Sequence, residues 1–181
     1  MNKISATTRQ LVYSAAAIAL AAVCSMIKLF EMPMGGSVTL VSMLFIVLIA
    51  YWYGPCAGIL TAVAYGLVQF VMEPVFYTLP QMLFDYPLAF GALGLAGFFH
   101  KKKWGLQVGY IVGVIGRFVF ATISGVLFFA AYAPEGMHPL AYSAGYQASY
   151  LVPEAVVTLV ILCIPPVSNA LAHVKQQAMK H

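Results

Sequence analysis

Gln81-Met82-Leu83-Phe84-Asp85-Tyr86-Pro87-Leu88-Ala89-Phe90 sets one carboxylate inside an apolar stretch. An ionisable group within a membrane helix is costly unless it is paired or faces a cavity, so by default it marks a functional site. Only five acidic residues occur in the whole chain, which makes Asp85 the first candidate. Outward from this stretch the apolar character persists. Of 181 residues, 62% are hydrophobic and 8% charged, and mean hydropathy is +0.91. An ordinary soluble domain carries roughly 25% charged residues. The composition predicts an all-α, multi-pass membrane protein.

Six apolar runs are expected to be transmembrane helices, at about 11–27, 38–53, 57–72, 80–99, 108–132 and 141–164, forming one integral membrane domain over 1–181. The fourth contains the opening stretch. Lys3 and Arg9 ahead of the first run imitate a secretory signal, but that run reaches about 20 residues without a clear cleavage site, so it reads as a retained helix. The second and third runs are short for a hydrocarbon core about 30 Å thick and also fit one broken hairpin. With six spans, Lys3, Arg9, Lys101 to Lys103, Lys175 and Lys180 all fall on one side, while Glu31, Glu73 and Glu135 fall in the loops on the other. The positive-inside rule makes the first side cytoplasmic, with both termini inside. Pro165-Pro166 is read as the end of the sixth span.

A rise of about 1.5 Å per helical residue then gives depth. Asp85 lies roughly one and a half turns below the outer end of the fourth span, in a layer with Phe129, Tyr142, Tyr146 and Gln147. Tyr142, Tyr146 and Tyr150 recur every four residues and share a helical face. Tyr142 alone fits either an interfacial aromatic belt or a site, whereas Tyr146 and Tyr150 lie too deep for a belt and should face protein or a cavity. Arg117 and Glu154 sit at similar depths and are expected to form a structural ion pair, since either alone in lipid would be costly. Asp85 is shallower than Arg117 by roughly 10 Å, which leaves it for a ligand.

Several classes are excluded. Cys24, Cys56 and Cys163 are far apart and read as small packing residues, and the four histidines fall in loops or the tail, so no metal site is expected. No GxxxxGK[ST] loop, HExxH helix or GxSxG elbow occurs, so neither ATP binding of the P-loop type nor hydrolysis is anticipated, and no enzymatic activity or cofactor is assigned. The small net charge of +4 does not suggest nucleic-acid binding. A ridge of small residues on the first span, with Ala15/Ala19 and Ala17/Ala21 each four apart, would let another helix approach closely, within this chain or from a partner.

Taken in order, Met32-Pro33-Met34-Gly35-Gly36-Ser37-Val38, Gly66-Leu67-Val68-Gln69, Leu83-Phe84-Asp85-Tyr86, Ile123-Ser124-Gly125 through Phe128-Phe129, and Tyr142-Ser143 with Tyr146-Gln147-Ala148-Ser149-Tyr150-Leu151-Val152-Pro153 resemble the ThiT (YuaJ) family. These are the thiamine-specific S components of energy-coupling factor (ECF) transporters. The resemblance implies the S-component fold: a six-helix protein of the bacterial cell membrane that captures its vitamin from outside. It also implies partners, a transmembrane coupling subunit and two cytoplasmic ATPases. On this resemblance Ala15, Ala17, Ala19 and Ala21 contain the docking surface for the coupling subunit, and the Gly35-Gly36 turn lies in a lid over the site. The substrate-binding residues it implies are Asp85, Tyr86, Phe129, Tyr142, Tyr146, Gln147 and Tyr65. Two positions depart from the family pattern: Ala121 stands where a histidine is usual, and Gln147 where an asparagine is usual.

The chemistry agrees from below. A thiazolium cation joined to a flat aminopyrimidine calls for a carboxylate, aromatic faces and an amide or phenols, all of which this outer layer supplies. Losing a histidine and lengthening an amide predict lower affinity or a shifted ligand, such as a thiamine precursor or another cationic or pyrimidine-like vitamin. Two rivals of other classes are an ion-coupled secondary transporter with Asp85 as proton carrier, and a membrane scaffold without a ligand.

Overall fold

The computed structural model describes residues 6–33 and 35–179, so the readings that rest on Lys3, Met34, Lys180 and His181 fall outside the described residues. The elements follow as α1 (Ala6–Met26), β1 (Lys28–Glu31), β2 (Ser37–Thr39), α2 (Ser42–Tyr53), α3 (Pro55–Met72), α4 (Leu79–Phe99), α5 (Gly105–Phe128), α6 (Pro139–Cys163) and α7 (Pro165–Met179). Helices α1, α3, α4, α5 and α6 are long and apolar enough to cross a bilayer, whereas α2 is an apolar helix of 12 residues. Such a set is that of a multi-pass membrane protein.

Helix α2 is the axis of the bundle. Met43, Ile46, Val47, Ile49 and Ala50 are almost wholly buried, as expected of a helix apolar all round. Helices α1, α3, α4 and α5 pack about it. The ridge on α1 has a definite register here. Ala17 and Ala21 turn inward into the core and Ala15 and Ala19 outward, so the docking expectation is corrected for Ala17 and Ala21, whose faces no partner can reach.

Helix α4 is helical throughout but not regular. An α-helical turn (Leu79–Leu83) gives way to a π-turn (Phe84–Leu88), and after Ala89–Gly91 the last stretch, Ala92–Phe99, is 3₁₀. The π-turn holds Pro87, which has no N–H to donate, and the Ala89 N–H reaches back five residues to the Phe84 carbonyl. Such a turn accommodates an extra residue, and π-turns are common at functional sites. It also brings α4 against α3 at Gly66, where an added Cβ would lie 2.5 Å from the Tyr86 carbonyl oxygen.

Two segments differ from the sequence expectation. The polar turn after the first span is the tip of an antiparallel hairpin, β1 with β2, in which Lys28 pairs with Thr39 and Glu31 with Ser37. Gly35 and Gly36 carry it round at φ +91° and +78°, conformations that glycine adopts without penalty. Beyond Pro165-Pro166 the chain does not run on as a tail. It breaks at Ile164, which is extended, and restarts as α7, since proline is well suited to a first helical turn. Leu171, Val174 and Ala178 of α7 return to the core, and Lys175 Nζ lies 3.9 Å over the Tyr51 ring.

Candidate functional site

At the hairpin end of the bundle, α3 to α6 enclose a cavity of about 520 Å³, within the usual range for small-molecule sites. Six of the seven anticipated residues line it: Asp85, Tyr86, Phe129, Tyr142, Tyr146 and Gln147. Tyr65 does not. It is fully buried behind Phe90, edge-on to that ring at 5.2 Å, and its hydroxyl donates to the Ala21 carbonyl (3.3 Å) while accepting from Gln69 Nε2 (2.5 Å). Its hydroxyl is directed toward α1, and it lines a smaller polar cavity beneath the hairpin instead of this one.

Asp85 sits on the π-turn, and Gln81 one turn earlier holds it. Gln81 is completely buried. Its Nε2 donates to Asp85 Oδ2 at 2.5 Å and to the Val75 carbonyl at 3.1 Å, and its Oε1 accepts from the Tyr77 N–H at 3.0 Å. Tyr86 works in parallel, donating to the Glu73 carbonyl (2.7 Å) and accepting from the Val75 N–H (2.9 Å). The loop between α3 and α4 is thus tied by the residues around the carboxylate, and the carboxylate is held in one orientation. Ser124 on α5 lies close enough to act on the same carboxylate, and among the described residues its buried hydroxyl has no partner at full hydrogen-bond geometry. Gln81 escaped notice in the sequence, although its spacing of four from Asp85 puts both on one helical face.

Aromatic groups gather at the mouth. Phe129, at the C-terminal end of α5, meets Tyr77 edge-on at 5.4 Å and Tyr132 at 6.1 Å, and the Tyr77 and Tyr132 hydroxyls are 3.2 Å apart. Tyr142, Tyr146 and Tyr150 all line the cavity, in keeping with their four-residue spacing along one face of α6. Over the two deeper tyrosines lies the hairpin tip. A Cβ on Gly35 would fall 3.3 Å from the Tyr146 hydroxyl oxygen, and one on Gly36 would fall 2.6 Å from Tyr150 Cδ1. The Gly35-Gly36 turn thus rests on the rings of Tyr146 and Tyr150.

The ion pair expected between Arg117 and Glu154 is a correction. Among the described residues the two side chains form no salt bridge. Arg117 instead lies over the Phe90 ring at 4.0 Å, a cation–π contact on the cavity wall. Glu154, buried in α6, is satisfied by the base of the hairpin: Oε2 accepts from the Thr39 N–H (3.1 Å) and Thr39 hydroxyl (2.8 Å), and Oε1 from the Ser42 hydroxyl (3.2 Å). Three donors on one carboxylate meet its hydrogen-bonding needs without a cation. A second, polar cavity of about 320 Å³ beneath the hairpin shares Arg117, Phe90, Gln69 and both deep tyrosines with the first.

At the hairpin's other edge, Lys28 bridges Glu31 (3.4 Å) and reaches Glu73 (3.9 Å). These groups are largely exposed, and pairs of that kind contribute little stability. The position of Ala121 is informative as well. It lines the larger cavity, and Gln147 Nε2 points at its carbonyl oxygen at 3.5 Å. No group of three or more His, Cys, Asp or Glu suited to a metal occurs among the described residues.

Residues 11–173 match the family described as Thiamine transporter protein (Thia_YuaJ). The thiamine transporter ThiT of Bacillus subtilis (strain 168) is 35% identical over 167 residues, covering 84% of this chain and 85% of that protein. ThiT of Lacticaseibacillus paracasei is 29% identical over 127 residues, 62% of this chain and 61% of its own length. Among solved structures, ThiT from Listeria monocytogenes superposes with a TM-score of 0.69 over 87% of this chain and 94% of that one; at 22% identity this is a likeness of fold.

Proposed function

Because the chain belongs to the Thia_YuaJ family of thiamine transporter proteins, we propose that it is the substrate-capture (S) component of an ECF importer and that its ligand is thiamine. The observation that carries this reading is one cavity holding an oriented carboxylate, aromatic faces and an amide beneath a glycine turn. Asp85 faces the thiazolium or the exocyclic amino group, Phe129 and Tyr142 offer ring faces, and Gln147 addresses the pyrimidine nitrogens. The hairpin acts as the lid. Arg117 marks the inner limit of the site, where its charge opposes a cation and so keeps the ligand toward Asp85.

The remaining parts follow from the same reading. Six spans, α1 to α6, cross the bacterial plasma membrane with both termini cytoplasmic, and the hairpin end faces outward. α2 is short for a span at about 18 Å, and burial among its neighbours compensates. Ala15 and Ala19, the exposed half of the ridge, dock the transmembrane coupling subunit, and two ATPases bound to that subunit supply the energy. The chain itself binds and does not catalyse.

Calorimetric titration of the purified protein with thiamine tests the proposal. Neither tryptophan, Trp52 or Trp104, lines the cavities, so heat is a surer readout than tryptophan emission. Saturable binding below micromolar concentration is expected, and none at micromolar levels overturns the thiamine assignment. A second reading, a thiamine precursor or related pyrimidine, is favoured specifically by Ala121, which leaves one ring contact fewer than a histidine would.

A further inference from the structure

The hydroxyl of Tyr150 donates to Gln147 Oε1. The polarity of this pair is fixed from the far side, because the Ala121 carbonyl can only accept, and it therefore requires the NH₂ end of the amide. Gln147 is nearly buried, so its orientation matters energetically. With its oxygen engaged by Tyr150 and one N–H directed at Ala121, the amide keeps one N–H without an acceptor among the described residues. What it can offer a ligand in the cavity is a donor.

The same tyrosine carries the lid. Its ring edge would meet a Cβ on Gly36 at 2.6 Å, so the hairpin tip seats directly on it, and the ring packs edge-on to Tyr146 at 5.8 Å. Tyr150 lines both cavities, between the lid and the amide. We infer that Tyr150 is a positioning residue that holds the Gln147 amide with its N–H toward the ligand and couples that orientation to closure of the Gly35-Gly36 turn. The consequence is selectivity for a ring that presents an acceptor nitrogen to Gln147. This rests on the thiamine-binding reading above.

Tyr150→Phe keeps the ring under Gly36 and removes only the hydroxyl, so a double-mutant cycle with Gln147→Ala isolates the relay. Thermal unfolding without ligand and thiamine titration are read for all four proteins. Loss of the hydroxyl should weaken thiamine about tenfold beside Gln147 and less than twofold beside Ala, as for one hydrogen bond that acts through the amide. Equal weakening in both backgrounds, or none in either, overturns the inference. Tyr150→Ala, which removes the ring beneath Gly36, should speed thiamine release well beyond Tyr150→Phe, which keeps it; equal release rates for the two variants overturn the link to the lid. If the wild type binds no thiamine, the function proposal fails on its own. The ligand-free cycle then still decides the pair, with non-additive midpoints supporting it and additive midpoints overturning it.

Discussion

Replacing Asp85 by Asn removes a charge and almost no volume, and the Gln81 amide can still donate to the remaining oxygen. The effect on a cationic ligand can be sized from the cavity. A sphere of 520 Å³ has a radius of about 5 Å, and a unit charge at its centre interacts with a wall carboxylate by about 3 kcal/mol at an effective dielectric of about 20. That corresponds to a loss of roughly 200-fold in affinity for thiamine. The uncharged aminopyrimidine half of the vitamin lacks the thiazolium, so it should lose only a hydrogen-bond increment, about fivefold to tenfold. Titration of wild type and variant with both compounds, at matched melting temperatures, separates the two contributions. A thiamine loss under tenfold, or equal losses for both compounds, would refute the assignment of Asp85 as the partner of the cation.

Other variants test other joints of the structure. Glu154→Ala strands the Thr39 N–H and two hydroxyls, so the melting temperature in detergent should drop clearly, corresponding to about 2–4 kcal/mol, while Glu154→Gln, which keeps one acceptor oxygen, should lose less than half as much. Gly66→Ala drives a methyl into the Tyr86 carbonyl; a destabilisation of about 1–3 kcal/mol and a weaker site are expected, and an unchanged melting curve would deny the close approach of α3 to the π-turn. Leucine at both Ala15 and Ala19 should abolish ATP-driven uptake in vesicles reconstituted with the partner subunits yet leave thiamine affinity of the isolated protein within twofold. Uptake that survives there, or that runs on a proton gradient without the ATPases, speaks against the docking surface or against the importer class respectively.

Five long apolar helices and the shorter α2 were legible because an apolar run is a property of composition, and the breaks at Gly54-Pro55 and Lys101 to Lys103 punctuate it. Rise per residue puts Asp85, Phe129 and the α6 tyrosines at one level along the bundle, and the same residues line one cavity. Direction around the helix was not legible. Arg117 and Glu154 share a height, but a height count says nothing of azimuth, and the donors that satisfy Glu154 come from Thr39 and Ser42, more than 110 residues away in sequence. Azimuth also decides the place of Tyr65, which Phe90 separates from the larger cavity and which lines the polar cavity beneath the hairpin. The hairpin and α7 were missed because short polar strands and a mildly amphipathic helix carry weak periodic signals, and Pro165-Pro166 reads equally as a stop and as a start.

The fastening of Thr39 and Ser42 to Glu154 divides the α1–α2 connection into two stretches with different tolerance for change in length. Between Thr39 and Ser42 the backbone is gauged against a fixed point on α6, so even one inserted residue would pull a donor off the carboxylate. Toward the tip the chain is held by local contacts, the seating of Gly35 and Gly36 on two phenols and the backbone bonds from the Met32 N–H to the Gly36 carbonyl (3.0 Å) and from the Gly35 N–H to the Met32 carbonyl (2.9 Å), and none of these is gauged against a distant carboxylate. An enlarged roof for a bulkier cargo is therefore best engineered by additions at the tip, with residues 37–42 left as they are.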